Sequence, residues 1–356
     1  MDVIALLKQL SEAEGIAGSE GPVREVVRGV WQPLVSDLRA DRLGNLIALK
    51  HGSASEPRPK LMVAAHMDEI GLRVTGVEKG FLRIGGGGGA DIRVLLGREV
   101  IVHGRRDLPG VVAARPPHVL TTSERNRAVA WDKLFVDVGL PPDEVAALVS
   151  VGDLISIRCE LTTLKNGRVA GKALDDRASV AAVTLALEQL ANVQHACDVL
   201  AVATVQEESG LIGATTAAFG IAPDAAIVLD VTFGAQPGVA ESEAFPLGGG
   251  PTIGVGPNFH PRLVEALRKT ADRLELAYQL EPLPGRSGTD AWAIQVAHEG
   301  VPSALISIPL RYMHQPVETL AVQDVERAGR LLAAFIQETG ADLRDQLTWP
   351  IPAESE

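Results

Sequence analysis

Residues 61–74 read LMVAAHMDEIGLRV, and this segment decides the fold class of the chain. It is a nearly continuous apolar run, interrupted by His66 and Asp68. A run of this kind is typical of a central strand that is buried on both faces, as in α/β proteins. Ligands of open α/β sheets bind outside the carboxyl ends of the strands. The polar residues that follow such a run are therefore candidates for a functional site.

Helices and strands alternate over much of the remaining chain. Residues 1–40 have helical apolar spacing, and the alternation is clear from about residue 165 onward. Such alternation favours a sheet with helices on its faces. We therefore predict an α/β fold with a mostly parallel sheet flanked by helices. The later predicted elements are a helix at 176–191, strands at 198–206 and 225–232, a helix at 261–276, a strand at 303–310 and a helix at 322–338.

The segment 71–164 has a different character. Short runs rich in Val, Ile and Leu, such as REVIVHG and KLFVDVG, are separated by Gly, Pro and charged turns. This pattern is typical of a small β-rich domain. We predict that it is inserted into one discontinuous α/β domain formed by 1–70 and 165–356, and that its surface carries subunit contacts.

Composition excludes several classes of function. The 356 residues contain 33 Lys and Arg against 45 Asp and Glu, a net charge of −12, which is unfavourable for binding nucleic acid. The two cysteines, Cys159 and Cys197, form no C-x-x-C pair, so neither a disulfide scaffold nor a thiolate zinc site is expected. No apolar run reaches the ~18 residues of a membrane span, and the N-terminus lacks the basic start of a signal peptide. We expect a cytoplasmic protein without membrane or nucleic-acid partners.

Acids and histidines occur at the ends of apolar strands in five places. At a strand end, a carboxylate or an imidazole can project into a cleft without being buried alone, which would be unfavourable. Without thiolates, these groups are ligands for catalytic zinc, cobalt or manganese. The residues are His66 and Asp68, Asp175 and Asp176, Glu207 and Glu208, Asp230, and His314.

The number of acids fits two metal ions better than one. Asp175, Glu208 and Asp230 carry three negative charges, and a bridging hydroxide would carry a fourth. Two divalent cations balance these charges, whereas one would leave buried carboxylates uncompensated.

These segments, in this order, resemble the tetrahedral aminopeptidases, a group that includes the glutamyl aminopeptidases. The segments AAHMDEIG, GKALDDRAS, VQEESGLIGA, SGTDA and RYMHQPVE carry the resemblance, which covers nearly the whole chain. It implies a di-zinc aminopeptidase-like fold, peptide substrates and two divalent ions per subunit. It also implies that 71–164 is a dimerisation or oligomerisation domain, and that the protein is a homo-oligomer, often a tetrahedral dodecamer built from dimers.

The resemblance further implies a metal ligand at each of five positions. One metal is bound by His66 and Asp230, the other by Glu208 and His314, and Asp175 bridges both.

Three nearby acids receive other expectations from the same resemblance. Asp68 orients His66, as metal-bound histidines usually require. Glu207 is the general base and acid. Asp176 stays open as an alternative bridge, because neighbouring acids can exchange roles.

This assignment agrees with the chemistry of the residue types. A water bridging two Lewis acids is deprotonated near neutral pH. Glu207 can take the remaining proton of this water and pass it to the leaving amine. The metals polarise the scissile carbonyl, and one of them can hold the free α-amine, which restricts cleavage to the N-terminal residue.

Three other functions are alternatives to an aminopeptidase. A glycoside hydrolase would use Glu207 and Glu208, but adjacent residues rarely lie on either side of a glycosidic bond. A nucleotide-binding protein would use Gly85–Gly89, yet the run lacks the Lys-Ser/Thr of a phosphate-binding loop. A non-catalytic assembly protein would keep the fold without its chemistry.

Two departures from the family pattern concern the surroundings of the site. The run Gly85–Gly89 is longer than expected and is interpreted as a loop near the metals or a subunit contact. Trp292 follows SGTDA where a small residue is usual, which affects the shape of the substrate pocket. The preferred N-terminal residue, whether acidic, basic or apolar, stays open.

Overall fold

The computed structural model describes residues 1–348, and its centre is a large mixed sheet. Residues 61–66 of the apolar run 61–74 form the buried part of strand β3, whose first residue, Lys60, is exposed. Residues 71–74 of the same run begin strand β4, which belongs to a separate barrel. The strands are β1 Asp37–Ala40, β2 Leu46–Lys50, β3 Lys60–His66, β4 Gly71–Glu78, β5 Phe81–Gly87, β6 Glu99–His103, β7 Asp107–Ala114, β8 Leu134–Asp137, β9 Leu154–Ile157, β10 Thr162–Leu164, β11 Arg168–Gly171, β12 Asp198–Thr204, β13 Ala225–Phe233, β14 Thr252–Val255, β15 Gln279–Pro282, β16 Ser303–Arg311 and β17 Glu318–Ala321.

The strand order of the large sheet is β1-β2-β12-β3-β13-β16-β17-β11-β10, and β14 joins β15 to β16. The four central strands β12, β3, β13 and β16 are parallel. Most of the outer strands pair antiparallel, and short connections join β1 to β2 and β10 to β11. The outer pair β14 and β15 is parallel. The α/β fold is confirmed, but the sheet is mixed rather than mostly parallel.

Helices cover the central strands, as the alternating pattern predicts. α5 is buried along almost its whole length, packs on β3 and β13, and contacts α9. α6 and α8 form another pair that packs on the same group of strands. The helices are α1 Val3–Glu12, α2 Gly21–Trp31, α3 Thr122–Arg125, α4 Pro142–Leu148, α5 Leu174–Gln189, α6 Ile212–Ile221, α7 Pro261–Arg273, α8 Asp290–Gln295, α9 Val322–Glu338 and α10 Leu343–Leu347.

Six strands between the first and second parts of the large sheet close into a small barrel. Their order is β4-β5-β8-β7-β6-β9, and they enclose an apolar core separate from that of the large sheet. Strand β10, at 162–164, pairs with β11 in the large sheet instead. We therefore propose that the insertion ends between Ile157 and Thr162 rather than at 164. The assignment of 71–164 as the domain for assembly stays a prediction.

Within residues 1–348, none of the helices has the length and apolar character that crossing a membrane requires.

Candidate active site

The carboxyl ends of the four parallel strands bring together side chains that are far apart in sequence. His66 is the last residue of β3 and lies beside Thr204, the last residue of β12. Asp230 lies on β13, and His314 follows β16 by three residues. Parallel strands end at one edge of the sheet, so this arrangement follows from the topology.

At this edge of the sheet, two groups of side chains have the composition and spacing of metal-binding sites. His66, Asp175 and Asp230 form one group, and Asp175, Glu208 and His314 form the other. In each group, one ligand atom per residue lies within 4.8 Å of the others. Asp175 is shared: its Oδ1 lies 3.1 Å from His66 Nε2, and its Oδ2 lies 3.4 Å from His314 Nε2. All five predicted metal ligands are thus brought together.

The start of α5 turns Asp175 toward this cluster. Asp175 and Asp176 have non-helical backbone angles, φ/ψ of −81°/103° and −122°/31°, at the beginning of the helix. The adjacent Asp176 is fully buried but belongs to neither group. This placement favours Asp175 over Asp176 as the shared ligand.

Asp68 is expected to orient His66, and in the structure it also contacts the backbone of the Glu207–Glu208 pair. Its Oδ1 and Oδ2 accept hydrogen bonds from the backbone N–H groups of Glu207 and Glu208, at 3.0 and 3.1 Å. His66 Nδ1 lies 3.6 Å from Asp68 Oδ1. The same nitrogen is nearer to the backbone oxygen of Asp68, at 3.2 Å. One buried carboxylate therefore fixes the loop that carries the Glu pair and faces the imidazole.

Glu318, at the start of β17, is a site residue that sequence reasoning missed. It is buried, and its two oxygens accept hydrogen bonds from the backbone N–H groups of Asp175 and His314, at 3.0 and 3.1 Å. His314 has a φ of 59°, a conformation unfavourable for a non-glycine residue, and this hydrogen bond helps to hold it. An acid within the apolar segment PVETLAV is the signal that could have identified it.

Burial raises the pKa of three carboxyl groups of the site, those of Glu207, Glu208 and Asp230. Desolvation, with His66 opposing and nearby acids adding to it, raises the pKa of Glu207 to about 7. Desolvation and the charge of Asp175 raise the pKa of Glu208 to about 10. Desolvation also raises the pKa of Asp230 well above its ordinary value.

The positive charges of the two imidazoles balance only part of the negative charge of the buried acids. Burial lowers the pKa of His66, but its hydrogen bond to Asp175 and the nearby carboxylates, Asp68 among them, outweigh burial and raise that pKa well above its usual range. The pKa of His314 is raised mainly by its hydrogen bond to Asp175. Burial opposes the ionisation of Asp175, but these two histidines keep its pKa below its ordinary value. An excess of buried acids with oxygen and nitrogen donors fits divalent cations.

The glycine run of the barrel lies against the cluster. A Cβ atom on Gly89 would lie 2.8 Å from His314 Nδ1, and one on Gly88 would lie 3.2 Å from Glu208 Cβ. Both glycines have positive φ angles. The segment Gly85–Gly87 belongs to β5, and no α-helix begins directly after Gly89. The run therefore allows close approach to His314 and lacks the strand–helix context of a nucleotide-binding loop.

A cavity of about 560 Å³ opens beside the cluster, which is a volume suited to a small ligand. Glu207 lines this cavity but belongs to neither candidate metal group. Trp292 is not among the lining residues; the guanidinium of Arg286 lies 4.9 Å from the centre of its ring. The other lining residues include Val231, Thr232, Phe233, Glu243, Phe245, Glu281, Leu283, Ser287, Thr289 and Met313.

Residues 44–331 match the sequence profile of the M42 glutamyl aminopeptidases. The chain belongs to this family. Family membership makes the protein a hydrolase that acts as an aminopeptidase.

Individual relatives match over almost the full chain. A lysyl aminopeptidase of Pyrococcus furiosus is 37% identical over 339 residues, covering 94% of this chain and 96% of the relative. The structure of an aminopeptidase from Desulfurococcus kamchatkensis superposes with a TM-score of 0.91 at 38% identity and covers 99% of both chains. The TET1 peptidase of Pyrococcus horikoshii, described as assembling into a tetrahedron or a large octahedral shell, gives 0.83 at 31% identity and covers 95% of this chain and all of its own. The resemblance to tetrahedral aminopeptidases is thus confirmed.

Proposed function

We propose that the protein is a two-metal aminopeptidase that removes N-terminal residues from peptides, with Glu207 carrying the proton. The observation that supports this most strongly is the position of Asp175, which is shared by both candidate ligand groups. His66 and Asp230 would complete one metal site, and Glu208 and His314 the other. Zinc is the expected ion, and cobalt or manganese suits the same donors.

The residues of the site would divide the chemistry of hydrolysis among them. Bound divalent ions would polarise the scissile carbonyl and acidify the attacking water. The oxygen of this water bonds to the carbonyl carbon while Glu207 accepts its proton. The bond from carbon to nitrogen then breaks, and Glu207 delivers the proton to the leaving amine. Burial raises the pKa of Glu207 to about 7 in the protein without ions, and bound cations would lower it.

Asp68 and Glu318 would act as positioning residues. Asp68 holds the backbone of Glu207 and Glu208, which places a proton carrier next to a metal ligand. Glu318 holds the backbone of Asp175 and His314, which belong to the same candidate ligand group. Such support fixes the directions in which the ligands can bind an ion.

The experiment for this function is hydrolysis of a panel of aminoacyl-p-nitroanilides after removal of metal. We expect activity to disappear with a chelator and to return when zinc, cobalt or manganese is supplied. N-acetylated substrates are the control, because an aminopeptidase requires a free α-amine. Metal analysis should give two ions per chain. Inactivity of the metal-loaded protein on every substrate would favour the non-catalytic assembly protein.

We also propose that the protein forms a homo-oligomer, with a tetrahedral dodecamer built from dimers as the expected form. The TET1 relative and its shells support this, and the barrel between Gly71 and Ile157 offers a separate surface for the contacts. Sedimentation should give a large species, and charged substitutions on the barrel surface should give smaller ones. A strictly monomeric wild-type protein would contradict the proposal. A closed shell would admit short peptides to the metals and leave folded proteins intact.

A further inference from the structure

The cavity lining contains, besides the candidate metal ligands, a buried carboxylate that has no cationic partner within residues 1–348. Glu281, on β15, is 8% exposed. Its Oε1 accepts a hydrogen bond from the hydroxyl of Thr232, and its Oε2 accepts one from the hydroxyl of Thr252, both at 2.6 Å. Within residues 1–348, no lysine, arginine or histidine nitrogen lies within 4 Å of this carboxylate, although other buried acids such as Glu69 do have such partners.

Both hydroxyls act as fixed supports for Glu281. Thr232 lies two residues after Asp230 on β13, so both side chains lie on one face of the strand. Thr252 lies on β14, the strand that pairs with the β15 strand of Glu281. The carboxylate is therefore held in one position on the cavity wall, with its oxygens accepting rather than donating.

The position of Glu281 suits the far end of a long substrate side chain. Two residues along a strand correspond to about 7 Å. Thr232, whose hydroxyl holds the Glu281 carboxylate, therefore lies about this far along β13 from the metal ligand Asp230. The four-carbon stem of lysine spans a comparable length and ends in a compact cation.

The rest of the cavity agrees with a basic side chain. Phe233, Phe245 and Leu283 line it and can pack against an aliphatic stem. Glu243 adds a second acid at an exposed position of the lining. Among the described residues, the cavity lining contains no lysine or arginine, and its two histidines, His66 and His314, are candidate metal ligands. An acidic substrate side chain would therefore find no other cation there.

We infer that the enzyme prefers peptides with an N-terminal lysine or arginine, and that Glu281 is the residue that selects them. This inference rests on the proposed aminopeptidase function and specifies its substrate class. A basic side chain gives the buried carboxylate the partner that it lacks, whereas an acidic side chain is repelled by it. Neutral side chains of similar size fill the cavity but leave Glu281 unpaired.

The test compares lysyl, arginyl, methionyl and glutamyl p-nitroanilides with the metal-loaded protein. Wild-type kcat/KM should be highest for the basic substrates and lowest for the glutamyl one. Glu281→Gln should lower kcat/KM for lysine by about 10–100-fold and change that for methionine by less than about 3-fold. The loss should lie mainly in KM, and inhibition by free lysine should weaken in parallel. Glu243→Gln should give a smaller loss of the same kind, because its charge is exposed to solvent.

Glu241→Gln is the matched control, since it removes the same charge from an exposed residue outside the cavity lining. It should leave the lysine-to-methionine ratio unchanged. Wild-type protein that cleaves glutamyl substrates as well as lysyl ones would overturn the inference, as would an equal loss for all substrates in Glu281→Gln. If Glu281→Gln does not fold, the wild-type ratios and Glu243→Gln still decide. Inactivity on the entire panel would instead overturn the proposed function and this inference with it.

Discussion

Glu207→Gln is expected to lower kcat by about 10²–10⁴-fold while both metal ions stay bound. Glutamine keeps the size of the side chain but cannot accept and release the proton. Glu207 lies in the cavity with the cluster and belongs to neither candidate ligand group, so the ions should not depend on its charge. Steady-state kinetics and metal analysis on the same preparation measure both quantities.

The adjacent position supplies the control for this experiment. Glu208→Gln makes the same chemical change one residue away, but Glu208 belongs to the group with Asp175 and His314. We expect this variant to lose metal, whereas Glu207→Gln should lose turnover alone. Near-normal turnover in Glu207→Gln would remove Glu207 from the mechanism.

The pH dependence gives a second measurement on the same variant. Glu207 accepts a proton only when ionised, so kcat/KM should fall as the pH drops through its pKa. Burial raises that pKa to about 7 in the protein without ions, and bound cations would lower it. The acid limb assigned to this group should be absent in Glu207→Gln and present in the exposed control variant Glu241→Gln.

The sequence brings the five candidate ligands to one site because each lies at or near the end of a recognisable apolar run. His66 and Asp230 come from strands whose burial is visible as runs of apolar residues. Parallel pairing of those strands then brings their carboxyl ends together, so five distant residues could be assigned to one site. The family resemblance adds the division of these residues between two ions.

The sequence is less informative where the structure depends on contacts between distant segments. The hydrogen bonds of Glu318 to Asp175 and His314, and those of Thr232 and Thr252 to Glu281, join elements that no local pattern connects. Local runs also do not give the direction of short outer strands. The antiparallel pairing at the edges of the sheet was therefore not predicted. The predicted end of the insertion at 164 includes β10, because this strand lies in the run DLISIRCELTTL, although it pairs with β11.

The second large effect is expected at Asp175, and it depends on whether one residue serves both ions. Asp175→Asn should reduce the occupancy of both metal sites, since its two oxygens face His66 and His314 separately. Asp230→Asn should mainly empty one site, because Asp230 belongs to a single group. Changes to residues that merely orient ligands typically weaken metal binding by about 10–100-fold. Loss of a ligand common to two ions should therefore lower kcat/KM by about 10²–10⁴-fold or more.

Asp176→Asn is the matched control for Asp175→Asn, because it is the same change at the neighbouring buried acid. Desolvation and the charge of Asp230 raise the pKa of Asp176 well above its ordinary value, so a neutral amide is a mild replacement there. We expect this variant to fold and to keep two ions per chain. Loss of both ions in Asp176→Asn, with loss of only one in Asp175→Asn, would move the bridge to Asp176. Equal loss of one ion in Asp175→Asn and Asp230→Asn would mean that Asp175 serves a single ion, and a two-metal centre would then need another shared ligand.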